Sequence, residues 1–192
     1  DNCGGLIPIN NAPEDFSLGI TAVIWQVTYA AGNTVSATQL ITVSDTTAPL
    51  NIAPASITTT TDGDSCLATT VALGLPISGD NCTVASVTND APAGFPTGIT
   101  TVTWTVIDTA GNQTLSYQTV TVNDATPPNI VAPPDIVSNS CAIILGNPTV
   151  TDNCNVTFSN DAPSSFLSGI TIVTWTANDT FGNTVTATQL VS

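Results

Sequence analysis

The stretch Gly98-Ile-Thr-Thr-Val-Thr-Trp-Thr-Val-Ile-Asp-Thr-Ala-Gly-Asn112 decides the fold. Val102, Trp104 and Val106 fall on one side of an extended chain and Thr101, Thr103 and Thr105 on the other, the period of a half-buried strand. Asp108 opens a turn that Gly111-Asn112 closes, residue types that cap turns and accept positive φ. The same pattern runs from Gly19 to Asn33, with Val23, Trp25 and Val27, and from Gly169 to Asn183, with Val173, Trp175 and Ala177. All three tryptophans of the chain occupy this one position, at spacings of 79 (25 to 104) and 71 (104 to 175) residues. The chain is therefore a tandem repeat of small all-β domains, each of a size to build a modest core.

Charge narrows the function more than length does. The 192 residues hold 14 acidic side chains and no Lys, Arg or His, a net charge of −14. Side-chain salt bridges are ruled out, so each carboxylate needs water, a backbone N–H, a hydroxyl or a metal ion. Nucleic acid is excluded as a partner because phosphate neutralisation requires Lys or Arg, and attraction to anionic lipid fails for the same reason. No run of apolar residues is long enough for a transmembrane helix, so direct membrane insertion is not expected. Catalysis by a nucleophilic triad needs a His or Lys base, which the sequence does not contain. The single Glu, Glu14, and aspartates recurring at turns make no acid–base pair. No enzyme activity is expected.

Around the Trp strand the motifs recur in order. Asp-Asn-Cys stands at 1–3, 80–82 and 152–154; Asn-Asp-Ala-Pro stands at 89–92 and 160–163, with Asn10-Asn-Ala-Pro13 in the first repeat. Phe16, Phe95 and Phe166 each precede a glycine by three residues and read as core anchors. Proline-bearing linkers, Ser44-Asp-Thr-Thr-Ala-Pro49 and Asn123-Asp-Ala-Thr-Pro-Pro128, mark boundaries with little slack. The reading is residues 1–44 as the C-terminal part of one repeat, 45–123 as a complete repeat and 124–192 as a nearly complete third. The sequence thus opens in mid-repeat, as a piece of a longer chain would. About seven strands per repeat with no helical period predict tandem immunoglobulin-like β-sandwiches.

Cys66 and Cys82 are 16 apart and Cys141 and Cys154 are 13 apart, each pair ending on Asp-Asn-Cys. That spacing predicts bridges Cys66–Cys82 and Cys141–Cys154, leaving Cys3 to a partner outside the sequence. Bridges place the chain in an oxidising compartment. A zinc site is disfavoured without His or Cys-x-x-Cys. Calcium is the one cofactor the chemistry admits, since hard oxygen ligands are abundant. Asp45 and Asp124 at the linkers are the first candidates, and Asp90 and Asp161 in the Asn-Asp-Ala-Pro loops the second. The competing role for all four is turn capping.

As an ordered set, Asp-Asn-Cys, Asn-Asp-Ala-Pro, Phe-x-x-Gly-Ile-Thr-x-Val-x-Trp, Asp-x-x-Gly-Asn and Val-x-Asp-x-x-x-Pro resembles the hyalin repeat. Where many hyalin repeats carry a further cysteine pair, this chain has Ala53 and Ala132, and Ala37, Ser116 and Ala187, consistent with one lost bridge. The Thr-rich, Lys-free array is also similar to giant surface proteins of Bacteroidota, including gliding adhesins exported by the type IX system. The resemblance implies an extracellular, cell-surface stalk of an adhesin, serving attachment or gliding motility. Its partners would be neighbouring repeats, with surface polysaccharide or other cell-surface proteins as further ones. The alternatives are a binding module that contacts polysaccharide or protein through its loops, and a self-associating filament.

Overall fold

A computed structural model describes residues 6–140 and 142–192; Cys3 and Cys141 lie outside the described residues. The first repeat contributes β1 (Ile9–Asn10), β2 (Gly19–Thr28) and β3 (Thr34–Val43). The middle repeat follows with β4 (Leu50–Ile52), β5 (Ile57–Thr60), β6 (Leu67–Ala68), β7 (Ile77–Gly79), β8 (Val84–Asn89), β9 (Phe95–Pro96), β10 (Gly98–Asp108) and β11 (Gln113–Asn123). The third holds β12 (Asn129–Val131), β13 (Thr149–Thr151), β14 (Val156–Asn160), β15 (Thr171–Asp179) and β16 (Thr184–Val191). No helix occurs among the described residues, and none could cross a membrane. The fold is all-β, in tandem immunoglobulin-like sandwiches. Eight strand segments rather than seven make the middle repeat, because β6 and β9 are two-residue pieces.

The sheets run in the orders β1-β2-β3, β5-β11-β10-β8 and β14-β15-β16, with the smaller pairs β4-β7, β6-β9 and β12-β13. In each repeat the Trp strand is the centre of its sheet or next to it, and the strand after the Gly-Asn turn returns antiparallel, as in Trp25↔Ala37 and Trp175↔Ala187. Gly32, Gly111 and Gly182 all have φ between 85° and 97°, a conformation that side chains with a Cβ resist. β5 joins β11 in parallel, Ile57 opposite Val120, and the third repeat keeps a trace of this as the parallel bridge Ile136↔Val191.

The chain divides into two compact units. One comprises the chain up to Leu50 with Ser78–Val87 and Val106–Thr114; the other comprises Asn51–Ile77, Thr88–Thr105 and Leu115–Ser192. Two cores form. Ala68, Phe95, Val102, Trp104, Val120 and Val122 make the first, and Ile130, Val173, Trp175, Ala177 and Val191 the second, with Phe166 packed against it. Trp104 and Trp175 are 3% and 2% exposed, as the alternation with Thr predicts. Trp25 departs from that expectation at 37% exposed. Among the described residues, 6–44 form the three-stranded sheet β1-β2-β3, which leaves this indole partly open to solvent.

A polar device that the hydrophobic pattern did not reveal holds each Trp. Trp104 Nε1 donates to Gln118 Oε1 at 3.1 Å, and Gln118 Nε2 donates to the carbonyls of Ala55 (2.8 Å) and Leu73 (3.1 Å). Trp175, Gln189, Pro134 and Leu145 repeat the arrangement. Gln118 and Gln189 are fully buried with every polar group used, which is what burial of an amide requires. The signal was available, since a Gln follows each Trp by 14 residues.

Candidate functional site

The polar groups that the fold leaves unspent gather where linkers meet turns. Asp124 opens the second linker, Asp152 heads the Asp-Asn-Cys turn after β13, and Asp179 ends β15. One carboxylate oxygen from each lies within 4.8 Å of the others. Asp124 and Asp179 are both buried, at 8% exposure. Asp179 is held by its own turn: Oδ1 accepts the N–H groups of Phe181 and Asn183 at 2.8 Å, and Oδ2 accepts Asn183 Nδ2 at 2.6 Å. Burial pushes its carboxyl up, but these donors outweigh that and hold it below the ordinary carboxylate range. Asn183 Nδ2 reaches on to the Asp124 carbonyl, tying the turn to the linker.

Asp124 Oδ1 accepts Thr61 Oγ1, Asn153 Nδ2 and the Thr126 N–H at 3.1–3.2 Å, while its Oδ2 is buried without a partner. Asp152 Oδ2 accepts the Cys154 N–H, and its Oδ1 is likewise buried and unpartnered. Asn153 spends its amide N–H groups on Thr61 Oγ1, the Ser65 carbonyl and Asp124, leaving a buried, unpartnered Oδ1. The Thr61–Cys66 loop of the middle repeat is thus drawn onto the Asp-Asn-Cys turn of the third, and Cys66 is bonded to Cys154 with Cα atoms 4.8 Å apart.

This corrects the disulfides expected from spacing. Neither Cys66–Cys82 nor Cys141–Cys154 forms; Cys154 is taken by Cys66, 88 residues earlier, Cys82 is free and exposed, and Cys141 is outside the described residues. The reason is that the Asp152-Asn-Cys154 turn meets the Thr61–Cys66 loop of the preceding repeat. Sequence spacing measured proximity along the chain, and the fold brings together the ends of consecutive repeats.

The first linker builds the same arrangement within its own unit. Ligand atoms of Asp45, Asp80 and Cys82 lie within 4.8 Å of one another. Asp45 Oδ1 accepts the Thr47 N–H and Asn81 Nδ2, Asp80 Oδ2 accepts the Cys82 N–H, and Asn112 Nδ2 donates to the Asp45 carbonyl. Asp45 Oδ2 and Asp80 Oδ1 are buried without partners, the same two oxygens as in Asp124 and Asp152. A hydrogen bond with Asp45, together with the surrounding carboxylates, pushes the Cys82 thiol up.

Of the four aspartates singled out as cation candidates, the structure gathers Asp45 and Asp124 into these clusters and leaves Asp90 and Asp161 out. Asp90 Oδ1 accepts the Thr103 N–H and Asp161 Oδ1 the Thr174 N–H, each at 2.6 Å. Asn11 Oδ1 does the same for Ile24 at 2.7 Å, so this position needs an acceptor and not a charge. Sequence reasoning missed Asp80, Asp152 and Asp179 as cluster members. The first two head the Asp-Asn-Cys motif and Asp179 opens the Asp-x-x-Gly-Asn turn, and both local roles are real.

No family model matches the chain. It is similar along its whole length to two hyalins, 33% identical over 216 aligned positions in each, from Strongylocentrotus purpuratus and Lytechinus variegatus. The chain spans 18% and 40% of the length of these relatives. The repeat is hyalin-like. Among solved structures it is similar to protocadherin gamma B7 extracellular cadherin domains 1–4, at 13% identity over 99% of this chain and 64% of that one, with a TM-score of 0.38. Drosophila N-cadherin EC1-4 gives 12% identity over 92% and 58% with a TM-score of 0.36, and protocadherin gamma C5 EC1-3 gives 14% over 90% and 76% with 0.40.

Proposed function

We propose that this chain is a non-catalytic stalk segment of an extracellular, adhesion-type repeat array, with repeats bounded at 1–44, 45–123 and 124–192. The observation that carries the reading is the Cys66–Cys154 bond, which joins one sequence repeat to the next. A covalent tie of this kind suits an element that transmits tension, and a disulfide belongs to an oxidising, extracellular setting. The full-length likeness to hyalin supports the same placement. The core positions of Trp104 and Trp175 argue against a sugar-stacking platform. Attachment of a cell to a surface, and gliding where the cell has that machinery, is the service such a stalk performs for a distal binding tip.

Pulling single molecules from their ends tests the stalk. The bond hides 88 residues from extension, so reduction should lengthen the fully unfolded chain by roughly 300 Å at about 3.6 Å per residue. A contour length that does not respond to reductant removes the tie. Retention of the intact chain on surface polysaccharide or on a partner protein would instead favour the binding-module reading.

A further inference from the structure

Three carboxylates converge at the second linker in a chain that has no cationic side chain to offset them. Buried polar atoms are nearly always paired, because an unpaired one forfeits its hydration. Here two of the three clustered carboxylates, Asp124 and Asp152, each keep one buried oxygen without a partner, and so does the adjacent Asn153. Asp124 is more than nine-tenths buried, so water does not reach its free oxygen. The orientation of Asn153 follows from its three N–H acceptors, which leaves its oxygen free. At the first linker, Asp45 Oδ2 and Asp80 Oδ1 are unpartnered in the same way. A recurrence at equivalent atoms points to a shared purpose.

We infer that Asp124, Asp152, Asn153 and Asp179 form a binding site for a hard divalent cation of the calcium class. The donors are all oxygen, as calcium prefers, and an irregular set completed by water suits its six to eight ligands better than the strict octahedron of magnesium. Zinc is disfavoured, since the nearest sulfur, Cys154, is spent in a disulfide. A shallow cleft of about 340 Å³, lined among others by Asp64, Thr126, Asp152 and Asn153, offers a route for the ion and its waters. Asp45 and Asp80 carry the first-linker counterpart in a half-buried setting. The inference stands apart from the stalk reading, because binding is measured on the chain alone.

The test is calcium chloride added to the chelator-treated 192-residue chain in 0.15 M salt, followed by calorimetry and by the thermal melt. At calcium a hundredfold above Kd the melt should rise by about 5–10 °C. Asp152→Asn should abolish the rise, while Asp15→Asn, which removes the same charge at an exposed position, should keep it. Equilibrium dialysis of the unmodified chain against radioactive calcium gives the stoichiometry without relying on any variant, with at least one ion per chain expected. No heat and no retained ion at millimolar calcium would overturn the site. So would an equal loss in both variants, which would mean diffuse counterion binding, or an equal rise with magnesium.

Discussion

The two linkers carry the same residues in different surroundings. At each, an Asp-Asn-Cys turn meets a linker aspartate and an Asp-x-x-Gly-Asn turn. At the second, the Thr61–Cys66 loop of the preceding repeat adds a hydroxyl, a carbonyl and a cysteine; Asp124 is buried and Cys154 is bonded. At the first, Asp45 is half-buried and Cys82 is a free, exposed thiol. The local motif builds the turn, and the neighbouring repeat supplies the burial. The tryptophans show the same contrast, because Trp25 and Trp104 both hydrogen-bond a Gln, and among the described residues Gln118 alone of the two goes on to bond the carbonyls of Ala55 and Leu73.

The largest test of this contrast is the cysteines. Cys154→Ser should cost about 4–5 kcal/mol, the loop-closure value for a bridge spanning 88 residues, and Cys82→Ser should leave the urea midpoint in place. A matching loss in both would mean that the two linkers are equally tied. Next comes Gln118→Leu, which strands the Trp104 indole N–H and two carbonyls and should cost about 2–3 kcal/mol. Gln39→Leu, beside a Trp already open to water, should stay within about 0.5 kcal/mol, read by tryptophan fluorescence during denaturation. Smaller again is Asn153→Ala, at about 1–2 kcal/mol in thermal melts, against an exposed Asn81→Ala with little effect.

The smallest effect is in acid. The Thr103 N–H, helped by its side chain, holds the Asp90 carboxyl below its ordinary value. A depressed carboxyl stabilises the fold above that ordinary value, and the contribution disappears as pH falls through the folded one. Asp90→Asn keeps the acceptor, as Asn11 does, but not the charge, so it should lower the neutral-pH melt slightly, match the unmodified chain in acid and flatten the acid dependence. An unaltered acid limb would show that Asp90 gains nothing from its charge.

Much of the architecture was legible along the chain. The Val-Thr-Trp-Thr-Val alternation set the strands, Gly111 and Asn112 the turn, and the threefold recurrence the tandem order. Each of these rests on dihedral preference or on the period of two, which act over a few residues. The two candidate linker aspartates were legible because a linker is a local feature. Their companions were not. Asp124, Asp152 and Asp179 are far apart in sequence, and each has a sufficient local reason to be where it is. Only the fold brings their carboxylates to one place. The partner of Cys154 was hidden for the same reason: which cysteine it meets depends on how one sandwich ends against the next, and contacts of that range are made by packing.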